Sequence, residues 1–178
     1  MRSIKNFILF IVTTTIAIAN SQTTTNNLVT ATCKQTPDPV LCQAALGSDP
    51  RISKANDAEA LTLIMLDVAK NRFLKSLRYV EDDLTRNRKT HDPAETRVLQ
   101  ECIRVYRVVV DTLIDVAERA IKEGDPKFGE EAMVDAGNEA QACKMAFPKR
   151  KVLRWITGRT WILHQLSNVT ASLIKTLE

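Results

Sequence analysis

Turn-forming residues are scarce in this sequence, which has only five glycines and six prolines among 178 residues. So few chain breakers favour long regular elements over a fold with many turns. Apolar residues recur with a period near 3.6 through the long segments, and no strand-like alternation competes with that period. The sequence therefore predicts an all-α protein.

Groups that could catalyse a reaction are also scarce, because the chain has only two histidines. His91 stands before a helix start and His164 lies beside an apolar seam, so both are interpreted as solvated or core side chains. The sequence contains no G-x-S-x-G, P-loop or G-x-G-x-x-G motif. The carboxylates fall on helix faces of mixed charge, which is typical of solvated surfaces. We therefore expect neither an enzyme nor a cofactor.

No hydrophobic span follows the N-terminal one, so we expect no membrane segment in the mature protein. At the N-terminus, Arg2 and Lys5 precede an apolar run that begins at residues 7–12, and an A-x-A cleavage pattern occupies residues 17–19. This order of features is typical of a secretory signal peptide. We expect residues 1–19 to be removed, which leaves a single domain over residues 20–178.

A strong excess of one charge is absent as well. Removal of residues 1–19 takes away two cations and leaves 23 Lys and Arg against 21 Asp and Glu, a net charge of +2. A nearly neutral chain gives no electrostatic basis for binding nucleic acid. The locally basic residues Lys149, Arg150, Lys151 and Arg154 are interpreted as a solvated first turn of the last helix.

Four cysteines in a secreted chain predict two disulfides, with three possible connectivities. Residues that are equidistant from a turn face each other in an antiparallel helix pair. A Pro-Asp turn signal lies midway between Cys33 and Cys42, and a glycine lies beside the midpoint of Cys102 and Cys143. The spacing thus favours the pairs Cys33–Cys42 and Cys102–Cys143. Neither C-x-x-C nor a Cys/His cluster is present, so we expect no metal site.

The helical segments predict a bundle with an appendage. Residues 28–46 hold two helices that are too short to be stable alone, so a disulfide is expected to staple them into a hairpin. Residues 56–178 hold four long amphipathic helices with short loops, which predicts an up-down-up-down four-helix bundle. The expected long helices run from about residue 57 to 86, 93 to 123, 126 to 146 and 149 to 177. The expected buried seam of the second is Leu99, Cys102, Tyr106, Val109, Leu113, Val116 and Ala120.

The turn between the second and third long helices, residues 124–129, reads Gly-Asp-Pro-Lys-Phe-Gly. A glycine that ends a helix, an aspartate N-cap and a proline at the first helical position are ordinary turn chemistry. Lys127 is not explained this way, because the helix macrodipole disfavours a cation in a first turn. Phe128 is a large ring beside a chain reversal, where the chain usually lies at the surface. Its spacing from Ala132 and Ala136 also fits the start of a buried seam, so periodicity leaves both placements open.

The tripeptide Asn168-Val169-Thr170 is a glycosylation sequon. Asn168 is offset from the apolar seam of the last helix, which favours exposure, although it lies inside the predicted helix. The sequence therefore predicts a glycoprotein modified at Asn168.

These features resemble the plant invertase and pectin methylesterase inhibitor family. The residues that carry the resemblance are Cys33 and Cys42 with Thr-Pro-Asp-Pro between them, followed by Cys102 and Cys143. In the invertase-inhibitor branch, a Pro-Lys-Phe motif in the loop between the second and third bundle helices enters the target's active site. The resemblance therefore implies a secreted inhibitor of acid invertase, a β-fructofuranosidase of the cell wall or vacuole. By the same resemblance, its target-binding residues are Pro126, Lys127 and Phe128.

Two other functions remain open at this point. A pectin methylesterase inhibitor on the same scaffold would bind its target through faces of the bundle helices, and the Pro-Lys-Phe tripeptide would then be incidental. A non-inhibitory secreted helical binding protein would need an apolar cavity within the bundle.

Overall fold

The computed structural model describes residues 26–147 and 154–178. The predicted signal peptide and the basic cluster at residues 149–151 lie outside these ranges. Helix α1 covers residues 26–33 and is followed by α2 (Pro39–Gly47), α3 (Ala58–Arg86), α4 (Pro93–Val108), α5 (Ile114–Glu123), α6 (Pro126–Met145) and α7 (Arg154–Lys175). The described ranges contain no strand, so the predicted all-α class is confirmed. Within those ranges, none of the helices is long and apolar enough to cross a membrane.

The first two helices form a hairpin that a disulfide closes. Cys33 in α1 and Cys42 in α2 are bonded, with their Cα atoms 5.5 Å apart, and both are fully buried. Thr36 Oγ1 donates to the carbonyl oxygen of Cys33 at 2.8 Å, and the Asp38 carboxylate accepts from Leu41 N at 2.9 Å. The turn is therefore fixed at both helix ends, as short helices require.

The long helices pack as antiparallel neighbours in a four-helix bundle. Residue numbers rise on one helix as they fall on its neighbour in the cross-helix contacts Lys70–Asp115, Glu81–Arg107, Glu130–Lys175 and Gly137–His164. Helix α3 also packs against α7, which closes the ring of helices. Cys102 of α4 and Cys143 of α6 are bonded, both fully buried. Both disulfides thus join the cysteines that the turn symmetry pairs.

The second long helix contains a π-helical turn that the sequence pattern does not predict. Helices α4 and α5 form one continuous rod, and Val109–Leu113 between them is wound with the wider π spacing. A π turn inserts one extra residue and rotates everything after it. Beyond this turn, the predicted Leu113 and Val116 are only half-buried and Ile114, Ala117 and Ile121 are buried, while the predicted Ala120 is also buried.

The start of this rod is a capping box. The Asp92 carboxylate accepts from Ala94 N and Glu95 N at 2.9 and 2.8 Å, while the Glu95 carboxylate accepts from Asp92 N at 3.2 Å. Reciprocal capping satisfies amide groups that a helix N-terminus otherwise leaves without partners. The rod therefore has a defined start at Pro93. It ends at Glu123, directly before the Gly-Asp-Pro-Lys-Phe-Gly turn.

Candidate functional site

The turn after α5 reverses the chain through a glycine. Gly124 has φ 78° and ψ 26°, in the left-handed region that L side chains disfavour. Gly124 N donates to Ile121 O at 3.2 Å and Asp125 N donates to Ala120 O at 2.9 Å. This pair of bonds is a Schellman motif, which satisfies carbonyl groups at the end of α5. The tripeptide that follows is therefore held by a defined helix stop.

Helix α6 begins immediately, with Pro126 at its first position. Proline needs no amide partner there and its fixed φ suits the helix. Asp125 occupies the predicted N-cap position. Its side chain does not make the capping hydrogen bond that an N-cap aspartate usually makes. Lys127 and Phe128 consequently project from the first turn of a regular helix that a proline starts.

Gly129 lets that first turn sit directly against two neighbouring helices. A Cβ atom at this position would lie 3.2 Å from the carbonyl oxygen of Ala117 in α5 and 3.2 Å from Cγ2 of Ile174 in α7. Contacts this short are closer than packed side chains normally make, so glycine is the residue that fits. The turn rests on the bundle and is not a free loop.

Phe128 points away from that packed side. Phe128 is 62% exposed, whereas Gly129, Ala132 and Met133 are buried. The buried seam of α6 therefore starts at Gly129, and the alternative in which Phe128 begins it is wrong. The ring borders a shallow open depression lined by Val116, Arg119, Ala120, Glu123 and Asp125.

Lys127 is exposed beside the ring and is held by a carboxylate. Its Nζ lies 2.7 Å from Glu130 Oε2, and Lys175 Nζ from α7 lies 3.2 Å from Glu130 Oε1. The Glu130 side chain is only 14% exposed, whereas those of Lys127 and Lys175 are 57% and 63% exposed. The hydrogen bond with Glu130 raises the pKa of Lys127, and the bond from Lys127 lowers the pKa of Glu130. The ammonium therefore stays charged, and it is oriented without being buried.

Pro126, Lys127 and Phe128 thus lie side by side at the α5–α6 end of the bundle, with the last two exposed. Glu130 and Lys175 complete the cluster. The sequence pattern does not predict that either residue belongs to this site. The spacing of three residues between Lys127 and Glu130 is a detectable signal, because such pairs are neighbours on a helix. Lys175 has no local signal, since only the packing of α7 against α6 brings it near.

The two histidines do not form a catalytic arrangement, but neither is simply solvated or apolar. The His91 side chain is only 9% exposed, with Nε2 2.9 Å from Asp83 Oδ2 and Nδ1 3.5 Å from Glu95 Oε2. It ties the end of α3 to the start of α4. His164 Nδ1 lies 3.1 Å from the Gly137 carbonyl oxygen, across the α6–α7 interface. Within residues 26–147 and 154–178, no group of three or more His, Cys, Asp and Glu side chains could hold a metal ion.

Asn168 lies in the middle of α7 and is partly buried. Its Nδ2 lies 3.1 Å from His164 Nε2, and the sequon hydroxyl of Thr170 is fully buried and donates to Leu166 O at 2.7 Å. Glycosylation there stays a prediction.

Most of this chain matches a known protein family. Residues 27–173 match the family described as plant invertase/pectin methylesterase inhibitor. A relative from Arabidopsis thaliana named cell wall / vacuolar inhibitor of fructosidase 1 is 37% identical over 147 residues. The alignment covers 83% of this chain and 67% of that protein.

Solved structures give the same fold. A mutant form of a pectin methylesterase inhibitor from Arabidopsis superposes with a TM-score of 0.68 at 18% identity, covering 82% of this chain and 94% of that one. A second Arabidopsis pectin methylesterase inhibitor superposes with a TM-score of 0.61 at 16% identity, covering 84% and 95%. At such low identity these structures support the shared helical architecture alone.

Proposed function

This chain belongs to the plant invertase/pectin methylesterase inhibitor family, and from this membership and the exposed turn we propose that it inhibits a plant acid invertase, a β-fructofuranosidase. The proposed inhibitor places Pro126, Lys127 and Phe128 in the active site of the enzyme. The observation that carries this proposal is the joint exposure of Lys127 and Phe128 on a turn fixed by a Schellman motif and a proline. The relative named as an inhibitor of fructosidase supports the choice of target.

The chemistry of the turn suits the active site of a glycosidase. Retaining glycosidases present two carboxyl groups around the scissile bond. The Lys127 ammonium is a compact cation that can pair with such acids once water is excluded. The exposed ring of Phe128 can cover apolar surface in a sugar pocket as a rigid anchor. Because the turn is already ordered, little conformational entropy remains to be lost on binding.

The family consists of inhibitors, so the chain is an inhibitor and not an enzyme. We propose that residues 20–178 form the mature inhibitor after removal of the signal peptide at residues 1–19. We propose that the mature protein acts in the cell wall or the vacuole, the two places that the name of the relative gives. Lys127 stays protonated at the mildly acidic pH expected there, since its raised pKa lies far above about 5.

Removal of the lysine tests the proposal. We expect Lys127→Ala to raise the inhibition constant for acid invertase by roughly 30-fold or more, the effect of losing one central contact at an interface. Lys122→Ala is the matched control, because Lys122 is 56% exposed and is also paired with a glutamate, Glu118. Equal inhibition constants for Lys127→Ala and the parent would remove the lysine from the mechanism.

The aromatic ring and the choice of enzyme are tested in the same assay. Phe128→Ala should weaken inhibition, whereas Met145→Ala at the other end of α6, where the side chain is 78% exposed, should not. Each protein is also assayed against pectin methylesterase. Inhibition of that enzyme, unaffected by changes at Lys127 and Phe128, would favour the pectin methylesterase alternative.

A further inference from the structure

A groove lies between the middle of α3 and the first half of α7, away from the turn at residues 124–129. Its volume is about 450 Å³, within the range of ligand-binding clefts. It is lined by Arg72, Lys75, Ser76, Trp155, Gly158, Arg159, Ile162 and Leu163. No acidic side chain is among these residues, and the proposed inhibitory turn does not reach them.

The absence of acids extends well beyond the groove. Residues 68–80, which include the α3 wall, hold four Lys and Arg, and residues 154–174, which include the α7 wall, hold two. Neither segment contains an Asp or a Glu, although the whole chain has 21 of them. The fold brings these two segments together, because α3 packs against α7. A cleft lined by charge of one sign concentrates its field and attracts ligands of the opposite sign.

The groove cations also make no ion pairs within the described parts of the chain. Elsewhere on α3, Lys70 pairs with Asp115 at 2.7 Å and the Arg51–Asp67 pair lies at 2.6 Å. In contrast, Arg72, Lys75 and Arg159 form no ion pair with any carboxylate in the described parts of the chain. Their positive charge is therefore available to an external anion.

Aromatic rings form one side of this basic surface. The rings of Tyr79 and Trp155 lie 4.8 Å apart between centroids, and the Arg159 guanidinium sits 3.8 Å from the centroid of the Tyr79 ring. A cation held over a ring is fixed in place, so the charge and the apolar surface are presented together. Tyr79 is 42% exposed although it is a large ring. Flat apolar rings beside cations suit a ligand with apolar faces and carboxylates.

From these contacts we propose that the α3–α7 groove binds linear oligomers of uronic acid, the chemistry of de-esterified pectin. A sugar ring offers an apolar C–H face to Trp155, and each carboxylate offers a partner to Arg72, Lys75 or Arg159. The groove is open to solvent, so a bound oligomer can extend beyond it. This binding site is independent of the proposed inhibition of invertase and is tested without that enzyme.

The groove and the inhibitory turn can be occupied together. Arg159 in the groove and Lys175 beside the turn lie on the same helix, 16 residues apart, which is about 24 Å along the axis. Binding within the groove therefore leaves Lys127 and Phe128 exposed. The consequence is an inhibitor that is retained in an acidic polysaccharide matrix while its target-binding end stays free.

The test measures direct binding to a decamer of α-1,4-linked galacturonic acid at about pH 5, where its carboxylates are ionised. Tryptophan fluorescence reports on the groove, because Trp155 lines it and the only other tryptophan, Trp161, is replaced in a Trp161→Phe background. Arg72→Gln/Lys75→Gln removes two groove cations. Arg88→Gln/Lys89→Gln is the matched control, since it makes the same change at exposed residues after the end of α3. Circular dichroism confirms that each variant is folded.

We expect the parent to bind the decamer, the groove variant to bind about tenfold more weakly, and the control variant to match the parent. The fully methyl-esterified decamer, which has the same length without charge, should not bind measurably. The proposal is overturned if the parent does not bind, or if both double variants lose affinity equally, which would indicate general attraction to a polyanion. Equally tight binding of an oligothymidylate of the same charge would also overturn it, because the groove would then not select a carbohydrate.

Discussion

Glu130 accepts hydrogen bonds from two lysines at the tip of the bundle, Lys127 in its own helix and Lys175 in α7. Ion pairs at such an exposed position contribute little stability, typically about 0–1 kcal/mol. Their value at this site is orientation, because the ammonium of Lys127 is held beside Phe128 while more than half of its side chain remains exposed. A target carboxylate can therefore share or replace Glu130 without unfolding the turn.

The pKa of Glu130 gives this cluster a defined dependence on pH. Hydrogen bonds from Lys127 and Lys175 lower the folded-state pKa of Glu130 below 4.5. A lowered carboxyl pKa contributes stability above the unfolded-state pKa, and that stability is lost as the pH falls through the folded-state pKa. The free energy of unfolding of the parent should therefore exceed that of Glu130→Gln by more at about pH 6 than at about pH 3. Urea unfolding at both values measures it, and a difference independent of pH would contradict the assignment.

Gly129 is the residue on which the position of the turn depends. Gly129→Ala places a methyl group 3.2 Å from the backbone oxygen of Ala117, which cannot rotate away, so we expect a loss of about 1–3 kcal/mol in the free energy of unfolding. Gly158→Ala is the control in α7, because a Cβ there meets nothing within 4 Å. Alanine is the better helix former, so that change should stabilise by roughly 0.5–1 kcal/mol. If both substitutions stabilise the protein in urea unfolding, the close approach at Gly129 is wrong.

Among the helices, the rod of α4 and α5 has buried positions that the apolar periodicity of the sequence does not determine. Both the predicted positions Leu113 and Val116 and the buried positions Ile114 and Ala117 are apolar. A pattern of apolar residues therefore fits either register, and neither Gly nor Pro marks the π turn. Packing of this rod against α3 and α6 selects the register that is observed.

The two disulfides should contribute unequally to stability. The Cys102–Cys143 bridge spans 41 residues and the Cys33–Cys42 bridge spans nine. In the chain-entropy description, closing the longer loop stabilises by about 4 kcal/mol and the shorter by about 2.5 kcal/mol. The double variant Cys102→Ala/Cys143→Ala should therefore lower the free energy of unfolding more than Cys33→Ala/Cys42→Ala. Urea unfolding under non-reducing conditions decides the order, and the reverse order would contradict the loop-length account.

For the whole molecule, residues close together in the sequence are sufficient to predict where helices lie. They do not predict the surfaces that form where two helices pack together. Helix starts such as the Asp92–Glu95 capping box depend on residues that are close together in the sequence. The second long helix accordingly begins at residue 93 as predicted. The meeting of Glu130 with Lys175, and of the basic stretches of α3 and α7, depends on which helices become neighbours. Contacts between residues 45 or more positions apart leave no periodic trace in the sequence, so they are visible only in the folded chain.

The bundle presents two different surfaces about 24 Å apart along α7. One end carries the exposed lysine and ring on a turn that three helices support. The other region is a cationic, aromatic groove with no acid in its lining. If the first surface binds an enzyme and the second holds an acidic polysaccharide, loss of one should leave the other intact.

The central claim is that the turn enters the sugar pocket of acid invertase, and the mode of inhibition tests it most directly. Initial rates of sucrose hydrolysis are measured at about pH 5 over a range of sucrose concentrations, with several fixed concentrations of the mature protein. An inhibitor that occupies the pocket must compete with substrate, so we expect the apparent KM to rise with inhibitor concentration while kcat stays constant. A fall in kcat at unchanged KM would mean that enzyme with sucrose bound is still inhibited, and would contradict the claim.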